Sequence, residues 1–429
     1  MNRRRVLLLI GCLLPVAWLL WSKSALPQTV RMSDGSTVTV VAVTYGKKHG
    51  ATVGSLGERF AARLPSKLFP KWPRPLSVRT NTERDTLVLW FISTNSLASG
   101  EFLSWFWSSN SVEIQISRIL TRRSAMGKGV LIGMAVDAFP RRERSLTLGL
   151  RSLGNPQVPP PSGTLTVPNP ARAHGQAWRG MPLPQRVVTK EFVCELEKCE
   201  LNLSKGFDAS LSMIWNFYKE GARDWHWRVQ TVELEDATGN FLRERCKDFT
   251  PASLRERMDF GILPETGPLR TDFARSILPG VGAWKVRAQV IRAGSFQTNE
   301  VWEVRDIPLR GQRGYGRQIW QTNIFGTSLK LASPALRFGN STDWPLLLSS
   351  DSQDGLDRTT LVTLVDDQGR EPMDRTALST GRSAFGGDCI AGWICKWSTG
   401  ATSCTARLGV SHWREVEFLV EPTVIDRKP

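Results

Sequence analysis

Val30-Arg-Met-Ser-Asp34-Gly35-Ser-Thr-Val-Thr-Val-Val-Ala-Val43 sets how the rest of the chain is read. Apolar and polar residues alternate with a period of two, the signature of a strand with one buried face. Asp34-Gly35 interrupts the alternation with a pair that readily supplies the positive φ of a tight hairpin turn. Two strands joined by such a turn predict antiparallel sheet from the start of the chain.

The same pattern recurs outward from there. Thr86–Ile92 is a continuous apolar run, Val112, Ile114 and Ile116 alternate with polar neighbours, and Leu146, Leu148 and Leu150 alternate with polar or small ones. Further on, Leu211, Met213, Trp215 and Phe217 share one face of a predicted strand. Trp225, Trp227 and Val229 repeat the pattern, as do Trp284, Val286, Ala288 and Val290. Val301–Val304 reads as a closing strand of that region. Leu361–Val365 enters a turn at Asp366–Arg370, and Val416, Phe418 and Val420 alternate near the C-terminus. Short strands at even spacing, with turn residues between them, predict an all-β protein of tandem immunoglobulin-like β-sandwiches. One departure is helical: Leu56, Phe60, Arg63, Leu64 and Lys67 predict a short helix near residues 55–69 of the first domain.

Proline marks a boundary. Eight of the 25 prolines fall in residues 155–184, a stretch that reads as an extended, semi-rigid linker. The expected organisation is an N-terminal signal or anchor (1–25), a first sandwich (26–154), the linker (155–184), a second sandwich (185–313) and a third (314–429). Three sandwiches suit a chain of 429 residues.

The N-terminus reads as an address. Arg3, Arg4 and Arg5 precede an uncharged run, Val6 to Trp21, with Trp18 and Trp21 near its far end. The basic triplet holds the N-terminus in the cytoplasm and sends the remainder of the chain across the membrane. The run is long for the apolar part of a signal peptide and short for a spanning helix of about 20 residues. A cleaved signal and a retained anchor, the latter a hydrophobic membrane helix, are both expectations at this point. The location expected is the bacterial cell envelope, with a secreted or periplasmic protein if the segment is cleaved.

Charge is distributed along the chain. The net charge is +16 overall: +4 in residues 1–25, +10 in 26–170, +3 in 171–313 and −1 in 314–429. A basic domain next to a membrane segment suits an anionic lipid surface, where each Lys or Arg contributes about 1 kcal/mol. Nucleic acid is set aside as a partner, because no motif for it is visible and an exported domain rarely meets it.

Cys194, Cys199, Cys246, Cys389, Cys395 and Cys404 fall in two clusters of three. In an exported protein they are candidates for disulfides, with 15 possible connectivities. Zinc would need four close ligands, which neither cluster supplies. Asp351, Asp354 and Asp357 hint at a calcium loop, but their spacing departs from the EF-hand pattern, and a solvated turn is the simpler reading.

No nucleophile elbow, zinc-protease, phosphate-loop or dinucleotide motif is present, so no cofactor or catalytic residue is assigned. Most tryptophans alternate with other apolar residues and read as core. Trp105-Phe106-Trp107 is different: three consecutive aromatics cannot all face inward on a half-buried strand, so they form the candidate exposed contact patch. The reading is a non-enzymatic envelope or cell-surface protein for adhesion, scaffolding or recognition of a protein or glycan. The alternative is a protein that binds or acts on carbohydrate.

Four patches carry a resemblance: Asp34-Gly35 through Tyr45-Gly46-Lys-Lys-His49, Phe139-Pro140-Arg141-Arg142, Val167-Pro168-Asn169-Pro170, and Val416-Glu-Phe-Leu-Val-Glu-Pro422. They resemble uncharacterised exported bacterial proteins with an N-terminal anchor and β-rich domains. That resemblance implies the anchor and the β architecture, and no activity.

Overall fold

The computed structural model describes residues 26–31, 37–53, 76–93, 103–109, 112–115, 119–126, 129–136, 138–152, 163–171, 177–203, 210–246, 269–273, 282–292, 296–309, 317–333, 343–351, 355–356, 358–382, 389–398 and 400–426. The expected N-terminal segment and the expected helix near 55–69 lie outside these residues. Among the described residues the structure is nearly all β, built of antiparallel sheets, with a 3-10 turn at Thr298–Glu300. No helix among them is long and apolar enough to cross a membrane.

The described strands form six sheets in three pairs; the first two pairs share one continuous apolar core and the third has its own. In the first pair, one sheet runs Gln28–Arg31, Thr37–Val53, Leu76–Ser93, Gly129–Val136, Ile119–Met126 in spatial order. Its partner runs Val112–Gln115, Leu103–Ser109, Ser145–Ser152, Gly163–Pro168. Val40, Leu89, Phe91 and Ile132 of the former share one apolar core with Leu146, Leu148, Leu165 and Val167 of the latter. The expected linker therefore contains an edge strand: Leu165 and Val167 alternate inward, and Pro168 ends the strand at a sheet edge, where a missing N–H is tolerated.

The apolar run of Thr86–Ile92 has a specific cause. The hairpin Thr37–Val53/Leu76–Ser93 is irregular near Gly46, where Lys48 pairs with Asn81 after Gly46 pairs with Thr86. The far half packs Ala51, Val53 and Val78 against Val88, Trp90, Leu131 and Ala135. Leu87, Leu89 and Phe91 face the shared core instead. Both faces of this strand are buried, so its sequence cannot alternate.

In the second pair, Gln185–Val188, Val193–Leu203, Ser210–Lys219 and Ala222–Arg223 form one sheet, with Leu269–Phe273 also paired to Ser210–Lys219. The facing sheet runs Phe241–Arg245, Trp227–Asp236, Trp284–Arg292, Arg414–Val420. In the third pair, Val301–Pro308, Ser403–Val410 and Thr359–Asp366 face Arg317–Ile324, Thr327–Ser333, Asp343–Ser350, Cys389–Lys396 and Asp374–Arg382. Val304, Leu361, Leu364 and Leu408 meet Leu331, Leu346 and Leu348 in its core.

Strand pairing crosses the expected boundary at residue 313 in both directions. Val301–Pro308 pairs with Ser403–Val410, in the third sandwich. Arg414–Val420 pairs with Trp284–Arg292, and Thr423–Asp426 runs parallel to Glu200–Leu203, in the second. The third sandwich is thus inserted between strands of the second. The chain crosses between them at Thr298–Glu300 and at Ser411-His412-Trp413.

Candidate functional site

The most elaborate polar constellation among the described residues lies between the first two sandwiches. It begins with the turn Asp236-Ala-Thr238-Gly239-Asn240. Asp236 Oδ1 accepts from the amide of Thr238 (2.8 Å), the hydroxyl of Thr238 (2.6 Å) and the amide of Asn240 (3.0 Å). Gly239, at φ +85°, supplies the left-handed step that closes the turn. This rigid loop aims Asn240, fully buried, at the first sandwich.

Asn240 uses its whole hydrogen-bonding capacity there. Its Nδ2 donates to Phe139 O (3.1 Å) and Asp236 Oδ2 (2.9 Å). Its Oδ1 accepts from Phe139 N (3.1 Å) and Arg141 Nε (2.9 Å). Two donors and two acceptor lone pairs are all an amide side chain has. Arg141, also buried, donates from Nη1 to Tyr45 Oη (2.6 Å) and lies against the rings of Phe139 and Tyr45. Asn169 braces the loop below by donating to Glu143 O (2.8 Å) and Pro140 O (3.2 Å). Alongside, the Arg84 guanidinium sits 3.7 Å from the centre of the Phe241 ring. Tyr45, Phe139, Arg141 and Asn169, scattered in sequence, meet in one place. The arrangement joins two sandwiches; Asn240 has no hydrogen-bonding group left for a substrate.

Three further networks are structural by the same reasoning. His49, buried beneath the hairpin irregularity, bonds Thr44 Oγ1 through Nδ1 and Thr82 Oγ1 through Nε2, both at 3.0 Å. Trp90 Nε1 donates to Thr44 Oγ1, and Thr82 Oγ1 donates to Arg84 O. Thr82 spends its one proton on a carbonyl, so it accepts from Nε2–H, and with the ring neutral Nδ1 accepts from the Thr44 hydroxyl. Burial pushes the His49 pKa below its ordinary 6.5.

On the second sandwich, Glu195 is buried and accepts from Arg186 Nε (2.6 Å), Asn216 Nδ2 (2.9 Å) and Tyr218 Oη (3.2 Å). Burial opposes its charge, but Arg186, Asn216 and Tyr218 outweigh it and lower the pKa. Where the third sandwich joins, buried Glu300 accepts from His412 N (2.9 Å) and Arg414 Nη1 (3.1 Å), tying the two crossings together. Arg414 also forks onto Glu191, at 2.8 and 3.1 Å.

The residues singled out in the sequence are distributed differently. Trp105, Phe106 and Trp107 lie on strand Leu103–Ser109, paired to Val112–Gln115 and Ser145–Ser152; their side chains are outside the described set. Trp90, Trp215, Trp227 and Trp284 are core residues, the last three as their alternation predicts. Cys194, Cys199, Cys395 and Cys404 are buried and Cys246 is half-buried, all as thiols. Cys389 is placed by its backbone on Cys389–Lys396. No cluster of three or more metal-ligating side chains occurs among the described residues. Asp354 and Asp357 of the calcium-like loop fall outside them.

Sequence reasoning gave Asn240 and Arg141 no role: the Asp-x-Thr-Gly-Asn turn announces a rigid loop but not what it docks on, and Arg141 stands only within the patch Phe139-Pro140-Arg141-Arg142. No protein-family model, curated protein or solved structure matches this chain.

Proposed function

We propose that this protein is a non-enzymatic, exported component of the bacterial cell envelope, held by its N-terminal hydrophobic helix and carrying tandem immunoglobulin-like sandwiches for adhesion, scaffolding or recognition. The observation that carries the reading is the junction around Asn240. Its polar groups join one sandwich to the next, which is how a protein that must hold its domains in fixed relation uses buried polarity. The third sandwich is tied to the second by two chain crossings and the Glu300 network, which serves the same end. The Arg3-Arg4-Arg5 triplet and the run Val6 to Trp21 supply the address. The +10 charge of residues 26–170 suits a basic domain beside anionic head groups, which attract it.

The test is fractionation of a bacterium expressing the full chain, with the N-terminus read by mass spectrometry. Full-length protein beginning at Met1 or Asn2 in the membrane fraction supports the anchored reading. Recovery of the chain, with its N-terminus intact, in the soluble cytoplasm overturns it.

A further inference from the structure

We propose that Cys395 and Cys404 are a cross-link site, joined by a disulfide that ties the two sheets of the third sandwich together at one end. Cys395 is the second-last residue of Cys389–Lys396, and Cys404 is the second residue of Ser403–Val410. These strands belong to the facing sheets and are consecutive in the chain, so the short connection between them turns the corner from one sheet to the other. Both side chains enter the same apolar core, with Trp344, Trp397, Leu364 and Ala406, and both are essentially unexposed (0% and 1%).

The neighbouring strands place them at one level. Cys404 pairs with Asp366 and Cys395 with Arg375. The chain from Asp366 to Arg375 crosses between the same sheets at the same end. Charge on Cys395 disfavours charge on Cys404.

Two cysteines on one strand are too far apart to pair. Cys389 is six residues from Cys395 on one extended strand, about 20 Å away, where a disulfide needs Cα atoms within about 7 Å. Cys194 and Cys199 share the strand Val193–Leu203 and are separated by roughly 15 Å, so they cannot pair with each other. They pack in the separate core of the first two sandwiches.

The bond forms by exchange with a small-molecule disulfide such as glutathione disulfide. One cysteine thiolate attacks it, giving a mixed disulfide and releasing one glutathione thiol. The second cysteine then displaces the second glutathione. The two cysteines lose two protons and two electrons, and glutathione disulfide gains them as two thiols. Burial pushes both thiols up to about 12, so the folded, reduced sandwich offers little thiolate, and the link closes as the chain folds. In the cell the oxidising environment rests on the export reading; the geometry does not.

The test refolds the reduced full-length chain, in detergent, in a glutathione redox buffer and, in parallel, in excess reductant. Free thiols are alkylated and the protein is digested without reduction. The expected result is a Cys395 peptide linked to a Cys404 peptide only after oxidative refolding, with the melting temperature raised on the order of 5–10 °C. Alkylation of both cysteines after oxidative refolding, or linkage of either to another cysteine, overturns the proposal. Protein taken directly from cells separates the two readings. A link that forms on refolding but is absent from the cellular protein keeps the cross-link site and contradicts export.

Discussion

Asn240 shows how one residue can join two domains. Its amide satisfies the backbone N–H and C=O of Phe139 and the guanidinium of Arg141 across the junction. Replacement by alanine strands all three groups in a buried place, a cost of roughly 2–4 kcal/mol. Asn240→Ala is therefore expected to lower the denaturation midpoint of the full chain, and a midpoint within error of the wild type would show that the junction is not holding the domains. His49 makes a second prediction. Its folded pKa is depressed, so below pH 6.5 the unfolded chain binds more protons than the folded one. The stability that neutral His49 contributes is complete above pH 6.5 and is lost as pH falls toward its folded value. His412 shifts the same way, by burial and by its neighbour Arg414. Urea unfolding at pH 7.5 and pH 5 should show this loss, and His49→Gln should flatten it; an unchanged slope in that variant would assign the acid sensitivity to other groups. Neither role was visible in the sequence, because an Asn in a turn and a His after two lysines have ordinary solvated readings until their partners, about 100 and 33 residues away, are placed.

Among the strands, the sequence was most legible where one face is buried and one is wet. Trp284–Val290 and Val416–Val420 alternate cleanly, and their inward residues are the ones in the core. Thr86–Ile92 was legible as a strand, but its second buried face was not, because the hairpin arm that covers it comes from its own neighbours. That second face is tightly fitted. A methyl group at Gly133 would sit 2.9 Å from the buried Trp90 ring. Gly133→Ala should cost about 1–3 kcal/mol through overpacking, measured by thermal melting. Unchanged stability would mean that Trp90 can move, and that the arm is not packed as described. Pairing partners were not legible at all. Val301–Val304 reads as a closing strand whichever sheet it joins, since an edge strand's sequence records burial and not the identity of its neighbour.

For the molecule as a whole, the consequence is an inserted third sandwich. The return of Arg414–Val420 and Thr423–Asp426 to the second sandwich makes the two interdependent. A chain stopped after Val410 retains every strand of the third sandwich and removes two from the second. Hydrogen exchange should then show protection lost first in Trp284–Arg292, which pairs with Arg414–Val420, while Ser403–Val410 stays protected. The opposite pattern would contradict the insertion. This arrangement was hidden from the sequence because linear order suggests consecutive domains, and only strand pairing reveals a return. The charge gradient, by contrast, was legible from composition alone: the basic excess lies in residues 26–170, next in sequence to the hydrophobic segment.

The proposal that these sandwiches face outward from an anchored N-terminus can be tested by protease treatment of spheroplasts expressing the full chain. Immunoblotting then reads the C-terminal region and a cytoplasmic control. Loss of the C-terminal signal while the control survives is the predicted result. Protection of the chain until the spheroplasts are lysed would contradict it.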